Sequence, residues 1–136
     1  SKTKFKIYID ETFAFVLTQS EAETYGIREG VIIEDDIYTL LMDEVIVKKA
    51  TVKAMNLLKM RDYTEVQLRR KLKADLYPQK AIDHAVAYVA SYHYIDDQRY
   101  TENFCRQHSG TMSRQMMIFK LSQKGISKEL IEEYCY

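Results

Sequence analysis

Thr64-Glu65-Val66-Gln67-Leu68-Arg69-Arg70-Lys71-Leu72 decides the fold, because its outline returns 49 positions later as Ser113-Arg114-Gln115-Met116-Met117-Ile118-Phe119-Lys120-Leu121. In the same register Ala81-Ile82-Asp83 falls on Leu130-Ile131-Glu132. A repeat of this length marks stacked helical units, each too small to bury its apolar face alone. The seam between the copies is Tyr94-Ile95-Asp96-Asp97-Gln98-Arg99-Tyr100. Such an array predicts an elongated binding surface rather than a pocket with chemistry in it.

Local signals place the helices of each unit. Thr64 with Gln67 forms a capping box, and Leu68, Leu72 and Leu76 make the apolar stripe that follows. Tyr77-Pro78 opens the next helix, whose stripe is Ala81-Ile82, Ala85-Val86 and Val89. In the second unit Asp96 or Asp97 caps a helix that turns Tyr100 and Phe104 inward, and Ser109-Gly110 breaks it. Ser113 caps the following helix, Gly125 stops it in a left-handed turn, and Ser127 caps the last.

Ahead of the array, Phe5-Lys6-Ile7-Tyr8-Ile9 and Phe13-Ala14-Phe15-Val16-Leu17 read as two strands joined at Asp10-Glu11-Thr12. A lone hairpin is marginal in water, so it must pack on a helix or find a third strand, for which Val31-Ile32-Ile33 is the candidate. Ser20-Glu21-Ala22-Glu23 reads as a capping box opening a short helix stopped by Gly26. From about Asp36 to Met60 the helical period is unbroken, with a bend expected near Asp43. The expected fold is mainly α: tandem three-helix repeats preceded by a small N-terminal β-hairpin and helix module. Residues 1–44 form that module, 45–95 the first repeat and 96–136 the second, with a third repeat cut off.

Composition narrows the function classes. An apolar share of 46% with one Pro and four Gly describes a folded, helix-rich chain. No apolar run is long enough to span a membrane, and Ser1-Lys2-Thr3-Lys4 lacks the core of a secretory signal, so a cytoplasmic protein is expected. Cys105 and Cys135 lie far apart in sequence and are expected as two reduced thiols. Net charge is zero, but residues 1–49 carry −4 and residues 50–136 carry +4. Asp96-Asp97 with Glu102 lacks the ligand ladder and glycine of a calcium loop, and helix capping with Arg99 paired to a carboxylate is expected instead. His84, His93 and His108 share no motif, and no nucleophile with its base and no phosphate loop is present. Neither enzyme activity nor a cofactor or metal is expected.

These residues resemble the RecX family of recombination regulators, over most of the chain. The hairpin with Ser20-Glu21 and Glu29-Gly30 is similar to the family's N-terminal module in Gram-positive bacteria. Arg61-Asp62-Tyr63-Thr64-Glu65 with Leu68-Arg69-Arg70-Lys71-Leu72 resembles its first repeat, Tyr94 to Tyr100 its junction, and Lys124-Gly125-Ile126-Ser127 with Leu130-Ile131 its second repeat. The resemblance implies a non-enzymatic chain of three-helix repeats that lies along the RecA filament on single-stranded DNA and restrains its activity. Three departures stand out. His93 replaces the usual Gly before the junction Tyr. Gln115, Met116, Met117 and Ile118 thin the basic charge of the second repeat's middle helix. A third repeat is missing.

Arg69, Arg70, Lys71 and Lys73 form the densest basic run, read either as a solvated helix face or as a patch for acidic RecA surface or DNA phosphate. The residues expected to contact RecA or the DNA backbone are Arg69, Arg70, Lys73, Arg99, Arg106, Arg114, Lys120 and Lys124. Tyr88, Tyr92, Tyr94 and Tyr100 are expected to pack one unit on the next, with partner contact or base stacking as the alternative. Met112, Met116 and Met117 are expected to fill core gaps, with an exposed Met surface for a partner as the alternative. Two rival readings remain: a DNA-binding helical module acting without RecA, and an adaptor for another partner.

Overall fold

The computed structural model describes residues 3–135. A hairpin, β1 (Lys4–Ile9) and β2 (Thr12–Thr18), precedes α1 (Gln19–Thr24), α2 (Asp35–Leu40), a π-helical stretch (Leu41–Ile46) and α3 (Val47–Met60). Then come α4 (Glu65–Ala74), α5 (Gln79–Ser91), α6 (Asp97–His108), α7 (Arg114–Gln123) and α8 (Lys128–Tyr134). The fold is mainly helical, with two tandem three-helix units behind a small antiparallel sheet, as the repeat predicts. Expectations resting on Ser1, Lys2 and Tyr136 lie outside the described residues.

The hairpin pairs Lys4 with Thr18 through Ile9 with Thr12, and its register slips between Ile7 and Tyr8, leaving Ala14 as the extra residue of a bulge. Asp10 and Glu11 both take positive φ, 50° and 68°, as a two-residue hairpin turn requires. Phe15 and Leu17 are fully buried in one cluster with Leu41, Ile46, Leu68, Leu72 and Val89. Hairpin and first unit thus share a core, which is how two strands persist without a third.

Two N-terminal expectations are corrected. Val31-Ile32-Ile33 is not a strand: the chain turns at Arg28, whose carbonyl accepts from Val31 N, with Gly30 at φ 79°, and Ile32 is left 85% exposed. The α1 box is Thr18 with Glu21, not Ser20 with Glu23. Both pairs fit the spacing, and the end of β2 at Thr18 selects the first. Glu21 also receives Lys49 at 3.0 Å. Burial would raise its pKa, but the Thr18 N–H and the Lys49 ammonium outweigh that and hold it below the ordinary value.

From Asp35 to Met60 the chain is helical throughout, and the disturbance expected near Asp43 is the π-helical stretch. Its wider turn rotates the following residues, so that Leu41, Met42 and Ile46 within it and Val47, Ala50 and Ala54 after it all reach the core. Small Ala50 and Ala54, both fully buried, let α5 pack closely on α3.

The two units match residue by residue. Leu68 and Leu72 are buried where Met117 and Leu121 are, and Ile82 where Ile131 is. Thr64 and Ser113 both cap through side chains that accept N–H groups three residues on. After each middle helix the same pair of bonds closes the turn, Leu76 N to Lys73 O with Tyr77 N to Leu72 O, and Gly125 N to Ser122 O with Ile126 N to Leu121 O. Leu76 is therefore not part of the α4 stripe. It is the left-handed C-terminal residue, φ 68°, at the position where the second unit has Gly125, φ 87°.

The second unit has a core of its own, built from Cys105, Met117, Leu121, Ile126, Ile131 and Cys135. Cys105 and Cys135 are disulfide-bonded, which corrects the expectation of two free thiols. Thirty residues apart in sequence, they meet because α6 and α8 pack side by side, bringing their Cα atoms within 5.7 Å. Met117 is core and Met112 packs against it, whereas Met116 is 45% exposed.

Candidate partner-binding surface

The units join through the start of α4. Thr64, fully buried, accepts from Gln67 N with its hydroxyl oxygen and donates to the carbonyl of Lys124. Beside it Gly125 approaches Val66 so closely that a Cβ there would lie 2.3 Å from the Val66 Cβ. From the other side Asp97 Oδ1 accepts from Glu65 N at 2.9 Å, while Asp96 caps α6 by accepting from Arg99 N. Burial pushes the Asp97 carboxyl above its ordinary pKa, and Glu65 and Asp96 push the same way, against the lowering effect of the Glu65 N–H.

Four of the eight expected contact residues are engaged within the fold. Arg69 bridges Glu65 at 3.0 Å and Asp83 at 2.7 Å. With a second hydrogen bond from Gln79, it holds the Asp83 carboxyl below the usual range. Arg70 reaches the Gln123 carbonyl at 3.4 Å, across the seam. Arg99 donates to the His93 carbonyl at 3.0 Å rather than pairing with a carboxylate. That bond braces a left-handed residue, His93 at φ 59°, where a side chain is costly. Lys124 is half-buried, its ammonium 5.9 Å from the Phe104 ring centre.

Arg106 is exposed and donates to Asn103 on its own helix. Lys73, Arg114 and Lys120 are exposed and form no ion pair or side-chain hydrogen bond among the described residues. Arg114 and Lys120 lie about 120° apart round α7, so they do not share one edge. The eight residues are thus not one patch.

Two features lie outside the eight expected contact residues. Lys71 is exposed, makes no side-chain pair among the described residues, and stands 49 positions before Lys120. Successive units therefore present a lysine at the same repeat position. On α7, Phe119 is 57% exposed beside Met116 and Lys120, an apolar and basic strip. Its signal was a helix apolar on every side instead of along one stripe.

The tyrosines do not cement the units. Tyr88, Tyr92 and Tyr94 are 41%, 57% and 47% exposed and form a ladder, with ring centres 5.1 Å and 5.8 Å apart. Tyr100 alone of the four packs inward, with Phe104.

Comparison with known proteins fits this geometry. Residues 50–89 match the description "RecX, first three-helix domain" and 96–134 "RecX, second three-helix domain". A regulatory protein RecX from Caldanaerobacter subterraneus subsp. tengcongensis is 32% identical over 135 residues, covering 96% of this chain and 67% of that protein.

The chain belongs to the RecX family.

A RecX from Clostridium botulinum is 26% identical, covering 98% of this chain and 63% of its own length, so the chain spans about two thirds of these relatives. The fold matches a crystal structure of regulatory protein RecX, with TM-score 0.66 at 21% identity over 98% of this chain and 67% of that one. RecX from Lactobacillus salivarius matches at TM-score 0.62 and 22% identity, over 65% of this chain and 58% of that one. Among the described residues no helix is long and apolar enough to cross a membrane.

Proposed function

We propose that this RecX-type chain acts without catalysis, binding the RecA recombinase filament on single-stranded DNA in the cytoplasm and restraining its activity. The observation that carries the reading is the recurrence of Lys71 as Lys120, exposed on corresponding helices of successive units. A repeating array with a repeating charge suits a repeating partner, whose protomers or phosphates return at fixed intervals. Weak contacts at each unit are multiplied when two units engage together. Lys71 and Lys120 are the central contact residues of this reading, with Met116 and Phe119 supplying apolar area and Lys73 and Arg114 adding charge from other sides of their helices.

The test is RecA's DNA-dependent ATP hydrolysis with and without the chain, beside a titration of the chain against single-stranded and duplex DNA. Inhibition of turnover at chain concentrations that leave naked DNA unbound supports the reading. Undisturbed turnover at large excess sinks it. Tight, steeply salt-dependent binding to naked DNA with no RecA dependence replaces it by a DNA-binding module.

A further inference from the structure

We propose that the open edge of β1 is an interface for a second copy of this chain, the two β1 strands pairing antiparallel to make a four-stranded sheet. Among the described residues the sheet has only β1 and β2, so one side of β1 carries no strand there. A cleft of about 900 Å³ runs there. Phe5 through Asp10 border it in unbroken succession, and since alternate side chains point to opposite faces, the cleft follows the strand's edge. Its far wall is the segment expected as a third strand, with Val31 and Ile32 40% and 85% exposed. An unprotected edge of this kind is a template for another strand.

The sequence of β1 selects its own twin. Gln19 N donates to the Thr3 carbonyl, in register with the ladder. By antiparallel alternation, Phe5 and Ile7 therefore turn their peptide groups toward β2, and Lys4, Lys6 and Tyr8 turn theirs outward. Pairing two copies about Ile7 sets these outward residues against each other. It also brings Lys6 of each copy opposite Tyr8 of the other and Phe5 opposite Ile9, and it sets Lys4 at the strand's start beside the turn residue Asp10 that follows the other copy's end. The inner face stays apolar across the junction, continuing Ile7 and Ile9, which already pack on the core. Because the strand is basic at its start and the acidic turn residue Asp10 follows its end, the antiparallel pair is complementary at both ends, as a two-fold interface demands.

Sedimentation equilibrium from low micromolar to submillimolar concentration tests this. The chain should show a monomer–dimer equilibrium weakened by salt. Lys4→Glu and Asp10→Lys should each weaken self-association by roughly tenfold, since each sets like charges opposite at both ends. An equimolar mixture of the two variants should dimerise as the unaltered chain does, because every mixed pair restores opposite charges. That recovery separates the interface from any loss of folding. A chain monomeric throughout, single variants that associate unchanged, or a mixture no better than its components would each overturn the proposal.

Discussion

The hydroxyl of Thr64 joins the two units: it caps its own helix through Gln67 N and donates to the carbonyl of Lys124, sixty residues on. The same residue that starts α4 thus satisfies the end of α7. Replacing it with Val keeps the shape and strands both a buried N–H and a carbonyl. Stability should fall by about 2–3 kcal/mol, while Thr64→Ser should cost about 1 kcal/mol, as read by urea denaturation.

Gly125 answers to two constraints, a left-handed φ of 87° and the near contact with Val66. Gly125→Ala should destabilise by about 2–4 kcal/mol, combining backbone strain with overpacking. The equivalent Leu76 already carries a side chain at φ 68°, so Leu76→Gly should relieve strain at the cost of its partial burial, a change within about 1 kcal/mol. Thermal melts of the two variants should therefore diverge.

Asp97 ties α6 to the N-terminus of α4 with its carboxyl held above the ordinary pKa. A carboxyl raised on folding binds its proton more tightly in the native state, so its contribution to stability rises as pH falls through the raised pKa and is lowest near neutrality. Asp97→Asn keeps an oxygen for the Glu65 N–H and removes the buried charge. At pH 7 it should match or exceed the unaltered chain, the advantage vanishing at acid pH. Asp97→Ala should instead cost about 1 kcal/mol. A pH series of denaturation midpoints distinguishes the two.

Reduction of Cys105–Cys135 releases a loop of thirty residues around a core of six side chains. The loss should be roughly 3–4 kcal/mol, falling on the second unit. Melting with and without a reducing agent, followed by hydrogen exchange of α8, should show α8 opening before α3 and α5.

Lys71→Glu and Lys120→Glu should leave the melting temperature unchanged and raise the concentration needed to inhibit RecA, by roughly threefold to tenfold each. Arg69→Glu should lower the melting temperature as well, because it places a third carboxylate beside Glu65 and Asp83. If Arg69→Glu alone disturbs inhibition, the lysine positions are not the contact.

Much of the fold was legible because its signals are local. Thr64, Asp96, Ser113 and Ser127 cap through groups three residues away, Gly125 stops a helix by its own backbone freedom, and the α5 stripe from Ala81 to Val89 follows one helical face. The contact surface was legible only as charge. Whether an arginine is available depends on what packs beside it: Arg69 is held by Asp83 from another helix, Arg70 by a carbonyl across the seam, and Arg99 by His93. The Tyr ladder failed for the same reason, since crowding in sequence did not make a buried cluster.

Hydrogen bonds and apolar spacing within a few residues specify the helices, the hairpin, the tandem repeat and the helix caps other than that of α1. The pairing of Cys105 with Cys135, the sharing of one core by hairpin and first unit, and the Thr64–Lys124 joint emerge from the tertiary structure. It alone packed the hairpin on helices, the first of the two ways open to it, and among the described residues left β1 with an open edge. Each of these depends on groups far apart in the chain, brought together when whole elements bury their faces, and no short stretch of residues encodes such a meeting.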